Sequence, residues 1–120
     1  AGHPDARDGH PGTALDVLFQ HLPRVHAVHV IDDRFTEPLP LSTLAASAGV
    51  SERTLTRLFG RATNGLTPLR YQQTLRLERA EYLIGHGSTL ETAAREVGFE
   101  DARMLRRLRS RPTPGDLAQL

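Results

Sequence analysis

The sequence contains no cysteine, which excludes disulfides, zinc–thiolate centres and cysteine nucleophiles. It has no apolar run of membrane-spanning length and no visible signal peptide, so the expectation is a soluble cytoplasmic protein with no membrane partner. Enzyme constellations are missing as well. There is no glycine-rich phosphate loop, no pairing of carboxylates and no nucleophile with a base, so no catalytic residue and no cofactor is expected. Lysine is also absent, and all 15 basic residues are arginine, the side chain best suited to forked contacts with phosphate and guanine.

A net charge of +1 argues by itself against a nucleic-acid partner, but the distribution argues for one. Residues 1–50 hold 3 Arg against 6 Asp and Glu, a net of −3; residues 51–120 hold 12 Arg against 8, a net of +4. Positive charge collects in one half of the chain, as an electrostatic footprint for a polyanion would.

What is present is organised around Leu41 to Phe59, LSTLAASAGVSERTLTRLF. Leu41, Leu44, Ala45 and Ala48 recur at helical spacing and give a first short helix one apolar face. Gly49 can take the left-handed backbone of a sharp turn. Ser51 is a good N-cap for a second helix with Leu55, Leu58 and Phe59 inward. Arg53, Thr54, Thr56, Arg57 and Arg61 are left outside. A small residue at 45, glycine at 49 and an aliphatic at 55 make the skeleton of a helix-turn-helix, whose second helix enters the DNA major groove.

Helical hairpins with glycine turns are common, so one copy carries limited weight. The pattern occurs twice. Ala93, Ala94, Gly98 and Met104 repeat Leu44, Ala45, Gly49 and Leu55 forty-nine positions later. Thr89 reads as the N-cap of the repeat's first helix and Asp101 as the cap of its second, with Met104, Leu105 and Leu108 inward. Five arginines between 103 and 111 form the densest basic cluster of the chain.

Between the copies, Asn64-Gly65 is a turn signal and Thr67-Pro68 reads as N-cap and first helical residue. The helix that follows is expected from Pro68 to about Ile84, with Tyr71, Leu75, Ala80, Leu83 and Ile84 in contact and Arg70, Arg76, Glu78, Arg79 and Glu81 in water. A rod of that length would hold two recognition helices about one DNA turn, ~34 Å, apart. Upstream, residues 14–22 suggest one or two turns ended by Pro23, and Arg24 to Phe35 a separate amphipathic helix. His26, His29 and Asp33 fall on adjoining turns of it, but they lack a further convergent ligand motif and no metal site is expected. Pro112-Thr113-Pro114 should end the last long helix. The expected organisation is a disordered tail or linker remnant at 1–23, a first helix-turn-helix subdomain at 24–66, a connecting helix at 67–86 and a second subdomain at 87–120.

Taken together, LSTLAASAGVSERTLTRLF, LTPLRYQQTLRLERAEYLI and STLETAAREVGFEDARMLRRL resemble the DNA-binding domain of the AraC/XylS family of bacterial transcription regulators. The resemblance covers about residues 25–110. Its most specific part is the run Arg76, Leu77, Ala80, Leu83 followed by the turn Glu96 to Phe99. It implies an all-α fold of about seven helices, in two helix-turn-helix subdomains joined by a long central helix. It also implies base-facing positions at Arg53, Thr56 and Arg57, with Ser51 and Thr54 nearer the backbone, and Ala102, Arg103, Arg106 and Arg107 on the second recognition helix; Arg61, left outside, joins them as a DNA-binding candidate. Three departures stand out: a loop from Arg61 to Thr67 one residue longer than the family's, Arg109 where a buried aromatic is usual, and a shortened region after it.

The partners implied are double-stranded promoter DNA and RNA polymerase, with the family's usual effector or dimerisation domain missing from this chain. The rival reading is an adapter or anti-activator that keeps the fold and binds protein instead. An arginine-bearing outer face on both recognition helices favours DNA, because a protein-only binder has no reason to keep it basic.

Overall fold

The computed structural model describes residues 14–111 of the 120, with side chains from Leu22 onward. The expected tail at 1–13 and the helix-ending Pro112-Thr113-Pro114 lie outside the described residues. The described chain is all helical, in the order α1 (Ala14–Arg34), α2 (Leu41–Ala48), α3 (Glu52–Ala62), α4 (Pro68–Gly85), α5 (Leu90–Glu96) and α6 (Ala102–Ser110).

Six helices appear among the described residues, close to the expected seven, and the expected break at Pro23 does not occur. Pro23 lies inside α1. A helix-interior proline costs about 3 kcal/mol through its lost N–H and its ring, yet its fixed φ is itself helical. One turn on, Ala27 and Ile31 follow at i+4 and i+8 and are fully buried. Burying an Ile side chain contributes about 1.5–3 kcal/mol, so packing of this face offsets most of the proline penalty.

The chain divides into two compact units. Among the described residues the first comprises 14–31 with Pro40–Pro68, and the second Asp32–Leu39 with 69–111. In the first unit Ile31, Leu44, Ala45, Leu55 and Phe59 are buried, and α2 packs on α3. In the second, Ala80 of α4, Ala93, Ala94 and Val97 around α5, and Ala102 and Leu105 of α6 form a core, with Leu77, Leu83, Ile84, Leu90 and Phe99 packed against it. From Leu69 on, α4 is thus a working part of the second unit, together with the segment Asp32–Leu39.

The two helical hairpins are built alike. Gly49 (φ +77) ends α2: the Val50 N–H donates to the Ala45 carbonyl and the Gly49 N–H to the Ala46 carbonyl. Gly98 (φ +105) does the same after α5, with Phe99 donating to Ala94 and Gly98 to Arg95. These paired bonds satisfy carbonyls that a helix end leaves open, and they require a positive φ. Up to that glycine the copies are offset by 49 residues, as the spacing implies. Beyond it they are not. The cap of α3 is Ser51, two residues after Gly49, whereas the cap of α6 is Asp101, three after Gly98.

The one-residue insertion changes which residues correspond. With the caps superposed the offset becomes 50, so Leu55 matches Leu105, not Met104, and Leu58 matches Leu108. Burial agrees: Leu105 is fully buried and Met104 only partly. Arg53 then corresponds to Arg103 and Arg57 to Arg107.

The second unit is tied together by polar groups from α4. Gln72, 5% exposed, donates from Nε2 to the carbonyls of Phe35 (3.1 Å) and Glu37 (2.8 Å). Arg76 does not stay in water as expected. Its Nε donates to Phe35 O at 2.6 Å, Nη2 to Glu37 O at 3.1 Å and Nη1 to Gly98 O at 3.4 Å, and its Cζ lies 5.1 Å from the Phe99 ring centroid. Gln72, Arg76, Ala80 and Leu83 share one stripe of α4, and that stripe faces inward; only arginine on it can reach three carbonyls at once. Desolvation lowers the Arg76 pKa from its ordinary value.

Candidate nucleic-acid interface

Helix α3 starts where Ser51 Oγ accepts the Thr54 N–H at 3.1 Å while donating to Thr54 Oγ1 at 3.0 Å. The cap fixes the helix phase. At 100° per residue, the buried Leu55 and Phe59 lie opposite Arg53 and Arg57, and Thr56 sits on the flank between the two faces. Arg53, Arg57 and Arg61 are exposed, and Thr54 and Thr56 are partly so. Among the described residues no ion pair holds Arg53, Arg57 or Arg61, which leaves all three guanidinium groups to a ligand. Ser51 and Thr54 spend hydrogen-bonding capacity on the cap itself, consistent with a place at the helix start and not on the reading face.

Helix α6 is organised by the same logic with different chemistry. Ala102, Leu105 and Leu108 face the core at 1%, 0% and 7% exposure. Arg103 and Arg107 occupy the opposite face, Arg106 flanks it, and all three are exposed. The expected contact from Ala102 is therefore corrected: its methyl group is enclosed in the second unit's core and cannot touch a ligand.

The cap of α6 also does more than cap. Asp101 Oδ1 accepts the Arg103 N–H at 2.9 Å, and the Arg103 side chain returns to the same carboxylate, Nε at 3.2 and 3.0 Å and Nη2 at 2.8 Å. The Arg103 side chain and backbone N–H hold the Asp101 carboxyl below the usual carboxylate range, and the carboxylate raises the Arg103 pKa in turn. Among the described residues Arg106 and Arg107 have no ion pair. Phe99, Glu100, Asp101, Arg103, Met104 and Arg107 line a surface hollow of about 270 Å³ at this helix start. Arg109, in the family's aromatic position, instead lies at the surface and donates to Glu81 Oε2 at 3.1 Å, and Leu108 covers the core there.

Elsewhere the structure gives the expected bystanders ordinary roles. His26 Nε2 pairs with Ser47 Oγ, and among the described residues no group of three or more His, Cys, Asp or Glu is placed to hold a metal ion. No described helix is long and apolar enough to cross a membrane. Arg76 and the Asp101–Arg103 pair are the residues that sequence reasoning missed. The first was signalled by its i+4 spacing from Gln72 and to Ala80, the second by an acidic cap two residues before an arginine.

Compared with curated proteins, the chain matches none. The family model described as "Helix-turn-helix domain", which is of the AraC type, matches residues 44–111, from the buried Leu44 of α2 to the end of α6. That span contains the first hairpin from the middle of α2, the whole of the second, the caps of α3 and α6, and every arginine of their outer faces. The chain belongs to the AraC/XylS-type helix-turn-helix family of DNA-binding regulatory domains.

Proposed function

We propose that the chain reads specific promoter sequences by placing α3 and α6 in successive major grooves of one DNA duplex. The observation that carries this is the correspondence fixed by the two caps. Arg53 with Arg103, and Arg57 with Arg107, all lie opposite a buried leucine on a short capped helix. Base reading is assigned chiefly to Arg53, Thr56 and Arg57. Arg106 and Arg107 supply phosphate contact on the second helix. RNA polymerase is the protein partner of such a regulator, and an additional domain would supply effector sensing or dimerisation.

The test is a titration of promoter fragments from beside its own gene at two salt concentrations. Arg57→Ala should relax selectivity and cost about 1–3 kcal/mol at the selected site. Arg106→Ala should weaken all sequences alike and reduce the salt slope by about 1. If no duplex binds even at low salt, the DNA reading fails and a protein-binding adapter takes its place.

A further inference from the structure

We propose that Arg103 is a guanine reader whose fork is aimed by Asp101, so that α6 contributes sequence selectivity and not charge alone. This rests on the DNA reading above and adds a specificity determinant to it.

A guanidinium has two edges that can make paired hydrogen bonds. One is formed by Nε and Nη2, the other by Nη1 and Nη2. In Arg103 the first edge is taken by the carboxylate of Asp101, through Nε at 3.0 Å and Nη2 at 2.8 Å to Oδ2. The second edge keeps both N–H groups of Nη1 and one of Nη2. Among the described residues nothing occupies them, and the Arg103 side chain is 81% exposed. Two parallel N–H donors match the O6 and N7 acceptors that guanine presents in the major groove, and no other base offers two acceptors there.

Holding the first edge has two effects. It fixes a side chain that otherwise loses much rotamer freedom on binding. It also offsets part of the charge, so that Arg103 is a poorer generic phosphate ligand than Arg106 or Arg107. Both effects favour selectivity over bulk affinity. Asp101 itself is held as a cap by the Arg103 backbone N–H at 2.9 Å, so the carboxylate that aims the fork is anchored by the helix it begins. The first hairpin has no such device. Its cap, Ser51, is uncharged and bonds to Thr54, and Arg53 at the matching position has no carboxylate partner among the described residues.

Asp101 is thus a positioning residue, and the test must separate aiming from folding. Asn caps helices about as well as Asp, so Asp101→Asn keeps the helix start while removing the charge that grips Nε and Nη2. The probe is a duplex selected from a random pool by the 120-residue chain, with each guanine in turn replaced by 7-deazaguanine. That base keeps its pairing and loses N7. At one guanine in the half bound by α6, the substitution should weaken the wild-type chain about tenfold, the scale of a good forked contact. In Asp101→Asn and in Arg103→Ala the same substitution should cost less than about threefold, and the double variant should lose no more than either single one. Asp101→Asn should meanwhile bind unselected duplex more tightly, since a carboxylate no longer faces the phosphates. If the wild-type chain selects a site but Asp101→Asn leaves its 7-deazaguanine profile unchanged, the assignment to this pair is overturned while the DNA reading stands. If the pool yields no selected duplex at all, the DNA reading falls and the pair's role falls with it.

Discussion

Gly49 and Gly98 hold matching places in the two hairpins, and replacing each by alanine should have unequal consequences. Both have positive φ, at +77° and +105°, so a Cβ brings a backbone penalty at either site, about 1–2 kcal/mol. At Gly49 nothing else lies within 4 Å of the added atom, and the cost should stop there. At Gly98 a Cβ would stand 2.3 Å from the Thr36 carbonyl oxygen and 2.9 Å from Arg76 Nη2. The first neighbour is backbone, and the second belongs to a guanidinium engaged with three carbonyls. Relieving the clash means loosening at least one hydrogen bond from a charged donor, worth about 1.5–3 kcal/mol. The total for Gly98→Ala is then about 4 kcal/mol, against about 1–2 kcal/mol for Gly49→Ala. Urea unfolding followed by circular dichroism gives both values. Amide exchange at Val97 and Leu105 reports the second unit, and at Leu55 and Phe59 the first. The reasoning is refuted if Gly98→Ala costs no more than Gly49→Ala.

Arg76→Lys keeps the charge but replaces a fork by a single ammonium; it should destabilise the chain by about 2–3 kcal/mol in urea. Ser51→Ala and Thr89→Ala each remove a side-chain acceptor at a helix start and should each cost about 1 kcal/mol in the same assay. Tyr71 ionises at about 12 instead of 10, first because it is desolvated and then because its hydroxyl donates to Asp32 Oδ1 at 2.6 Å. The folded state keeps that proton longer than the unfolded one. Its contribution is therefore complete below pH 10 and lost as the pH rises from 10 to 12, and Tyr71→Phe should flatten this limb of the stability–pH curve. Glu81→Gln, which breaks an exposed pair with Arg109, should change stability by less than about 1 kcal/mol.

Much of this architecture is legible in the residues themselves. The apolar spacing of Leu44, Ala45, Leu55 and Phe59, the turn glycines and the caps Ser51, Thr89 and Asp101 are local signals, and each appears in the structure where the sequence places it. What fails does so for tertiary reasons. Pro23 reads as a helix end because propensity is local, but the burial of Ala27 and Ile31 carries α1 through it. Arg76 reads as solvated because arginine usually is, and the carbonyls of Phe35, Glu37 and Gly98 that hold it are 22 to 41 residues away. Ala102 reads as exposed because its counterpart in the first hairpin is exposed, whether Glu52 counted from the caps or Arg53 counted from the glycines, whereas its small methyl group packs into the second unit's core. Of the ten candidate contact residues, Arg53, Arg57, Arg61, Arg106 and Arg107 lie at the surface without an ion pair among the described residues. Arg103 is at the surface in its pair with Asp101.

That added residue sets the rule for treating these helices as interchangeable parts. A transplant measured from glycine to glycine would set Arg53 in the place of Ala102, and a guanidinium in the place of a methyl group enclosed by Val97 and Leu105 would wreck the recipient core. A transplant aligned on the caps and begun one residue inside the helix, residues 53–57 replacing 103–107, keeps Ala102 in the core, returns Leu55 to the place of Leu105 and sends Arg53 and Arg57 outward. Chimaeras that carry one hairpin's outer face on the other's scaffold should be aligned on Ser51 and Asp101 and joined after Glu52 and Ala102.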